Sequence, residues 1–330
     1  ASGARSSIVG GTLNTASAAL SFIGGGENNK VIGLRSAIVG GLLNCTSQIG
    51  SFVGGGEQNT VNSVHSFMGG GCQNTISSEY NGDGSVLVGG ICNTISSDYP
   101  NSAYGTIVGG FCNLITGSGG NAFNVFIGAG NKNLICNSNH SSIVGGTLNT
   151  SSANCSFIGG GFSNKTSGNM SSIVGGDRNV ASGFAGFIGG GQSNTISTSY
   201  YGFIGGGYNN SNSGYYGFIG GGISNSNSGY CSAIVGGYSN TISAGYQNLS
   251  FIGGGECNTI SSDYGFIGGG QGNKVITGIR SSIVGGQNNT VSGGYNFIGG
   301  GTYNTASGAR SSIVGGTLNT ASAALSFIGG

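Results

Sequence analysis

Apolar positions in this chain do not recur at a helical interval. They come as an adjacent apolar pair closed by glycines, as in SSIVGGTLNTAS from Ser6 and SFIGGGENNKVI from Ser21. The motif recurs 21 times, its first apolar residue running from Ile8 and Phe22 to Ile313 and Phe327. An asparagine follows in every complete copy: Asn14, Asn29, Asn44, Asn59, Asn74, Asn93, Asn113, Asn133, Asn149, Asn164, Asn179, Asn194, Asn210, Asn225, Asn240, Asn258, Asn273, Asn289, Asn304 and Asn319. Most spacings are 15 or 16 residues, with 19, 20 and 20 between Asn74 and Asn133 and 18 before Asn258, so the turn after the asparagine accepts insertions. Copies that begin with Phe carry one more small residue before the asparagine than copies that begin with Ile or Leu, which reads as a longer arc around a larger side chain.

A unit this short cannot hold a helical hairpin, but it suits one coil of an all-β solenoid, a β-roll or β-helix of about 21 stacked coils with two short strands each. The first strand is Ser-[Phe/Ile]-[Ile/Val]. The second is Asn-Thr-[Ile/Val/Ala]-Ser, whose alternation puts Asn and the aliphatic residue on one face. Stacking brings equivalent positions to about 4.8 Å, where inward asparagines would bond in a ladder that satisfies amides costly to bury. The competing reading makes each Asn a turn residue chosen for local backbone bonds. Glycine pairs form the corner after the first strand, where positive φ or close stacking excludes a Cβ. The apolar pair leaves two options open. In a straight strand its members face opposite sides and an outer stripe of Phe and Ile runs the length of the chain, requiring a second chain to cover it. A bend between them would turn both inward.

Composition excludes several classes. Of 330 residues 75 are glycine, one is proline, and 17 are charged with a net charge of +1. Collagen would need glycine at every third position and abundant proline. Disorder would need few aromatics and high net charge, against 14 Tyr and 16 Phe here. Phosphate neutralisation would need a basic surplus, so nucleic acid is not an expected partner. No apolar run reaches the roughly 18 residues of a membrane span.

Residues 1 to 25 are identical to residues 306 to 330, which gives a longer period of 305 residues holding 19 coils, an advance of roughly 90 Å. The expectation is a single continuous repeat array over 1–330, cut from a longer chain. The SIVGG…NTASG and SFIGGG…NTISG units resemble the glycine-rich β-roll repeats of trimeric autotransporter adhesin heads and of phage or viral tail-fibre shafts. That resemblance implies a stacked fibre at an extracellular, cell or virion surface.

Catalytic chemistry is not expected. IVGG occurs eight times and also opens mature trypsin-like proteases, but no nucleophile motif accompanies it, and both His65 and His140 fall in inter-strand turns. The GGG runs lack the Lys-Ser/Thr and helix of a phosphate loop. Calcium-binding β-rolls need an Asp in each repeat, and there are four in all. Glu79, Asp83 and Asp98 fall in the long insertions and read as solvated loop charges. No metal or cofactor is expected. Cys92 and Cys112 each precede the ladder Asn of neighbouring coils, so stacking predicts a disulfide between them; the other six cysteines lack same-register neighbours. Of the Asn-X-Ser/Thr sequons, Asn139, Asn154, Asn169 and Asn248 lie in turns and are the glycosylation candidates, whereas Asn44, Asn149 and Asn164 sit at ladder positions. Tyr200, Tyr201, Tyr215, Tyr216, Tyr230, Tyr246 and Tyr264 share one inter-strand turn and form a surface-contact row for glycans, for a neighbouring fibre, or simply for one another.

The expected function is a structural, self-assembling extracellular fibre shaft, continuing end to end and associating laterally with itself, with adhesion through the Tyr row and insertions. The alternative is an ice-binding or glycan-binding module. Ice binding would use an outward Thr column (Thr15, Thr60, Thr75, Thr94, Thr150, Thr195, Thr241, Thr259, Thr290, Thr305 and Thr320) interrupted by Lys30, Lys165, Lys274, Cys45, Leu114 and Leu134.

Overall fold

β-branched and aromatic residues suit a pleated, half-buried backbone, and each coil places them in two strands of two to four residues. The computed structural model describes residues 1–78, 84–97, 104–117, 124–197, 199–243 and 249–330. They fall into two units, Ala1–Met170 and Ser171–Gly330. In the first unit one parallel stack runs from Ser7–Ile8 to Phe157–Ile158 and a second from Thr15–Ala16 to Lys165–Thr166. In the second unit the corresponding stacks run from Ser172–Ile173 to Phe327–Ile328 and from Val180–Ala181 to Thr320–Ala321. Together they make about twenty turns of all-β solenoid, with no helix among the described residues.

The register corrects the sequence alignment by one residue. Ser7 pairs with Phe22 and Ile8 with Ile23, and Ala37 pairs with Phe52. Phe therefore stands opposite Ser, Ala, Thr, Val or another Phe, and never opposite the inward Ile. The extra glycine of the Phe copies disappears: Phe22-Ile23-Gly24 is equivalent to Ala37-Ile38-Val39, and the arcs are equal. The two first-strand options are settled the same way. Ile23 is 0% exposed while Phe22 is 40% and Val39 49% exposed, so the strand is straight and the pair faces opposite sides.

Each unit has its own core, a column of first-strand Ile, Val, Leu or Met against second-strand Ile, Val or Ala. The column is only two side chains wide, and polar residues enter it. Asn212 and Asn227 replace the second-strand aliphatic residue in adjacent coils and are fully buried. The Asn212 amide donates to Gly217 O at 2.7 Å, and that of Asn227 to Ser232 O at 2.8 Å. Thr46 occupies the same position between Val31 and Val61, and its Oγ1 is buried with no hydrogen-bond partner.

The glycine corner holds two unlike positions. At Gly41 φ is +94°, and a Cβ would lie 2.2 Å from Gly56 O and 2.6 Å from Asn44 Nδ2. At Gly40 a Cβ would meet nothing within 4 Å, and Ala129 occupies the equivalent place in its own coil. The insertions expected at 77–86, 96–106 and 116–125 lie largely outside the described residues, as do Glu79, Asp83 and Asp98. Before them the second strand lengthens to Thr75–Ser78, Thr94–Ser97 and Leu114–Gly117.

Candidate functional site

The asparagines after the glycine corner are buried along the coils, apart from Asn14 at the first coil and Asn319 in the last complete one. Asn44 shows the geometry. Its N–H donates to Asn29 Oδ1 at 3.0 Å, and its own Oδ1 accepts the Asn59 N–H at 3.0 Å. Its Nδ2 donates to Gly40 O at 3.1 Å within the coil and to Gly56 O at 2.8 Å in the next. The amide-to-amide contact to Asn29 Oδ1 is longer, 3.2 Å. The ladder is thus mainly side chain to backbone. Inside each unit such a carboxamide satisfies a corner carbonyl on its own coil and ties two groups of the next, which requires one acceptor and two donors on a short stem.

A second ladder runs at the opposite corner, where sequence reasoning gave the Ser before the apolar pair no separate role. Ser36 Oγ donates to Gln48 O at 2.6 Å and accepts the Ser51 N–H at 3.0 Å; Ser51 Oγ donates to Ser63 O at 2.8 Å. Asn296 takes over that place later, accepting the Ser311 N–H at 2.9 Å. The signal available was the recurrence of Ser there, in SSIV and SFIG alike.

The outer faces differ sharply in chemistry. The first-strand face carries Phe over glycine in some coils and Ser, Ala, Thr or Val followed by Val in the rest, without exception. The Phe22 ring lies above Gly24, its Cε1 3.5 Å from where a Cβ would stand. Neighbouring Phe coils stack ring on ring, with Phe203 and Phe218 at 5.1 Å and 4°. The second-strand face carries the Thr column, in register where Thr60, Thr75 and Thr94 pair, and Lys30, Lys165 and Lys274.

The tyrosine turn is a stack of rings. Tyr200 and Tyr215 lie 5.1 Å apart at 16°, Tyr201 and Tyr216 5.2 Å apart at 9°, and Tyr230 packs on Tyr215 and Tyr216. Phe184 begins the row by packing on Tyr200 and Tyr201. Tyr264 instead stacks with the Arg280 guanidinium at 5.3 Å, which also lies over Tyr295 at 5.7 Å and donates to its hydroxyl at 2.9 Å. Tyr246 lies outside the described residues. From Tyr200 to Tyr216 the rings are flanked by neighbouring rings, so this stretch of the row presents edges and hydroxyls outward.

All eight cysteines are free thiols, so the disulfide expected between Cys92 and Cys112 is not formed. Both residues have left-handed backbones, φ 55° and 53°. An in-register stack holds such Cβ atoms about 4.8 Å apart, against the roughly 3.8 Å mean of a disulfide. Cys92 Sγ instead lies 3.3 Å from Gln73 Oε1. Burial, and then the adjacent Cys112 sulfur, push the Cys92 thiol up. Burial also raises Cys45 and Cys136, with Lys30 and Lys165 opposing it. The Arg178 guanidinium, bonding both carboxylate oxygens of Asp177 at 3.1 and 3.0 Å, holds that carboxyl below its usual range.

Of the glycosylation candidates, Asn139 and Asn154 are half-buried and Asn169 is exposed. They form a short ladder of their own: Asn139 N–H donates to Asn154 Oδ1 at 2.8 Å and Asn154 N–H to Asn169 Oδ1 at 3.1 Å. Asn248 lies outside the described residues. Among the described residues no group of three or more His, Cys, Asp and Glu is placed to hold a metal ion, and no helix is long and apolar enough to cross a membrane. Searches against family models and against curated proteins find no match to the chain.

Proposed function

We propose that this chain is a structural protein, a self-assembling solenoid shaft of an extracellular fibre or of a cell or virion surface filament, and not an enzyme. The observation that carries the reading is the Asn ladder. Within each unit a coil bonds to the next through the same side-chain contacts with which the next bonds to its successor, so stability grows by adding coils and not by closing a globule. On this reading residues 1–330 are one repeat array whose partner is itself. A near-neutral chain also associates without charge repulsion.

Adhesion to surface glycans through the Tyr row is a secondary role in this proposal, limited to hydroxyl and edge contacts because the ring faces are stacked. Ice binding is the weaker alternative: the Thr column is in register, but Lys30, Lys165 and Lys274 project from the same face. Electron microscopy of native material tests the proposal. Filaments with an axial repeat near 90 Å support it, and compact monodisperse particles overturn it. Absence of thermal hysteresis eliminates the ice-binding alternative.

A further inference from the structure

Three observations converge on the first-strand outer face. The face is apolar and level. Where a coil has Phe, its next outward residue is Gly and the ring fills that space; where a coil has a smaller residue, the next outward residue is Val. Every coil therefore presents similar apolar bulk, whichever pair it uses. The face is also free of charge: none of the nine Lys and Arg or eight Asp and Glu occupies an outward first-strand position, whereas three lysines project from the opposite sheet.

The third observation is area. A Phe side chain has about 200 Å² of surface, so the 40% exposure of Phe22 leaves about 80 Å² bare. A half-exposed residue such as Val39 adds about 75 Å². Over the ten first-strand coils of the first unit this comes to about 800 Å². That exceeds the few hundred Å² that monomers usually expose and equals one partner's share of a standard stable interface.

We propose that this face docks on the same face of a second copy of the chain, the two sheets packing face to face. A second copy is the occupant because its rows repeat at the same intercoil spacing of about 4.8 Å. The rungs of the two level faces then stay in step along the whole contact, and neither side has a charge to desolvate. A partner without that period would fall out of register within a few coils. The inference stands whether or not the coils continue end to end into a filament, since a face-to-face dimer of finite solenoids needs only this surface.

Sedimentation equilibrium of the full chain tests it. The expected result is a dimer or larger assembly at micromolar concentration. Replacing Val108→Lys, Val144→Lys, Val235→Lys and Val284→Lys together should weaken association at least tenfold while far-UV circular dichroism stays unchanged. The opposite-face set Thr94→Lys, Thr150→Lys, Thr241→Lys and Thr290→Lys should leave association intact. Should the lysine set fail to fold, Val→Thr at the same four positions keeps the shape and should still weaken association. A monomeric wild type, or association that survives loss of the four valines and falls with the four threonines, overturns the proposal.

Discussion

Replacing one ladder carboxamide by a carboxylate isolates what the ladder does. In Asn44→Asp the oxygen that replaces Nδ2 would face both Gly40 O and Gly56 O, which now receive hydrogen bonds of 3.1 and 2.8 Å, while the other oxygen keeps the Asn59 N–H. Gly40 O loses its Nδ2 donor, at about 1–3 kcal/mol, Gly56 O is left with the Leu42 N–H alone, and a charge enters a site with 0% exposure for a further several kcal/mol. The expected loss at pH 7.5 is at least about 4 kcal/mol, read from urea unfolding followed by circular dichroism. The sign of its pH dependence is fixed. Burial beside two carbonyls raises the folded pKa of the introduced carboxyl above its unfolded value of about 3.9. Between those values the folded state binds more protons, so stability falls as pH rises through the window and the loss is largest above the folded pKa. As pH drops, the neutral acid regains one O–H donor and part of the stability returns. A variant as stable as wild type at pH 7.5, or one whose loss does not shrink on acidification, would refute the ladder as a source of stability.

Three further outcomes follow from single positions. Gly41→Ala should lose at least about 3 kcal/mol, from left-handed strain plus collision with Gly56 O, whereas Gly40→Ala should be neutral or up to about 1 kcal/mol stabilising; equal melting of the two variants would contradict the corner geometry. Thr46→Val removes a buried hydroxyl without a partner from a column of valines, and thermal melting should show a gain of about 1–2 kcal/mol. Thiol titration of unreduced, denatured protein should count eight thiols. In the native state Cys155 and Cys257, which are exposed, should react before Cys45, whose thiol burial pushes up; a count of six would restore one disulfide.

The sequence pattern announced the coil, because a motif with fixed glycine and asparagine places leaves few ways to close a turn. It misread the register because Phe and Ile look alike as apolar residues. Only the stack shows that Phe22 pairs with Ser7 while Ile23 takes the core place of Ile8, although the linked change of Phe-Gly to Ser-Val was visible in the text of the repeats. The Ser ladder was hidden for another reason: Ser is common in this chain, and its role depends on a carbonyl in the next coil, as for Ser36 and Gln48. The Cys92–Cys112 expectation failed because the Cα spacing of a stack fits a disulfide while its parallel Cβ directions do not.

Cryo-electron microscopy of the native material bears most directly on the proposal that these coils form a shaft. Rungs about 4.8 Å apart, stacked along filaments far longer than the 330-residue chain, are the predicted result. Discrete particles, or filaments whose rungs run along the axis and not across it, would contradict the account.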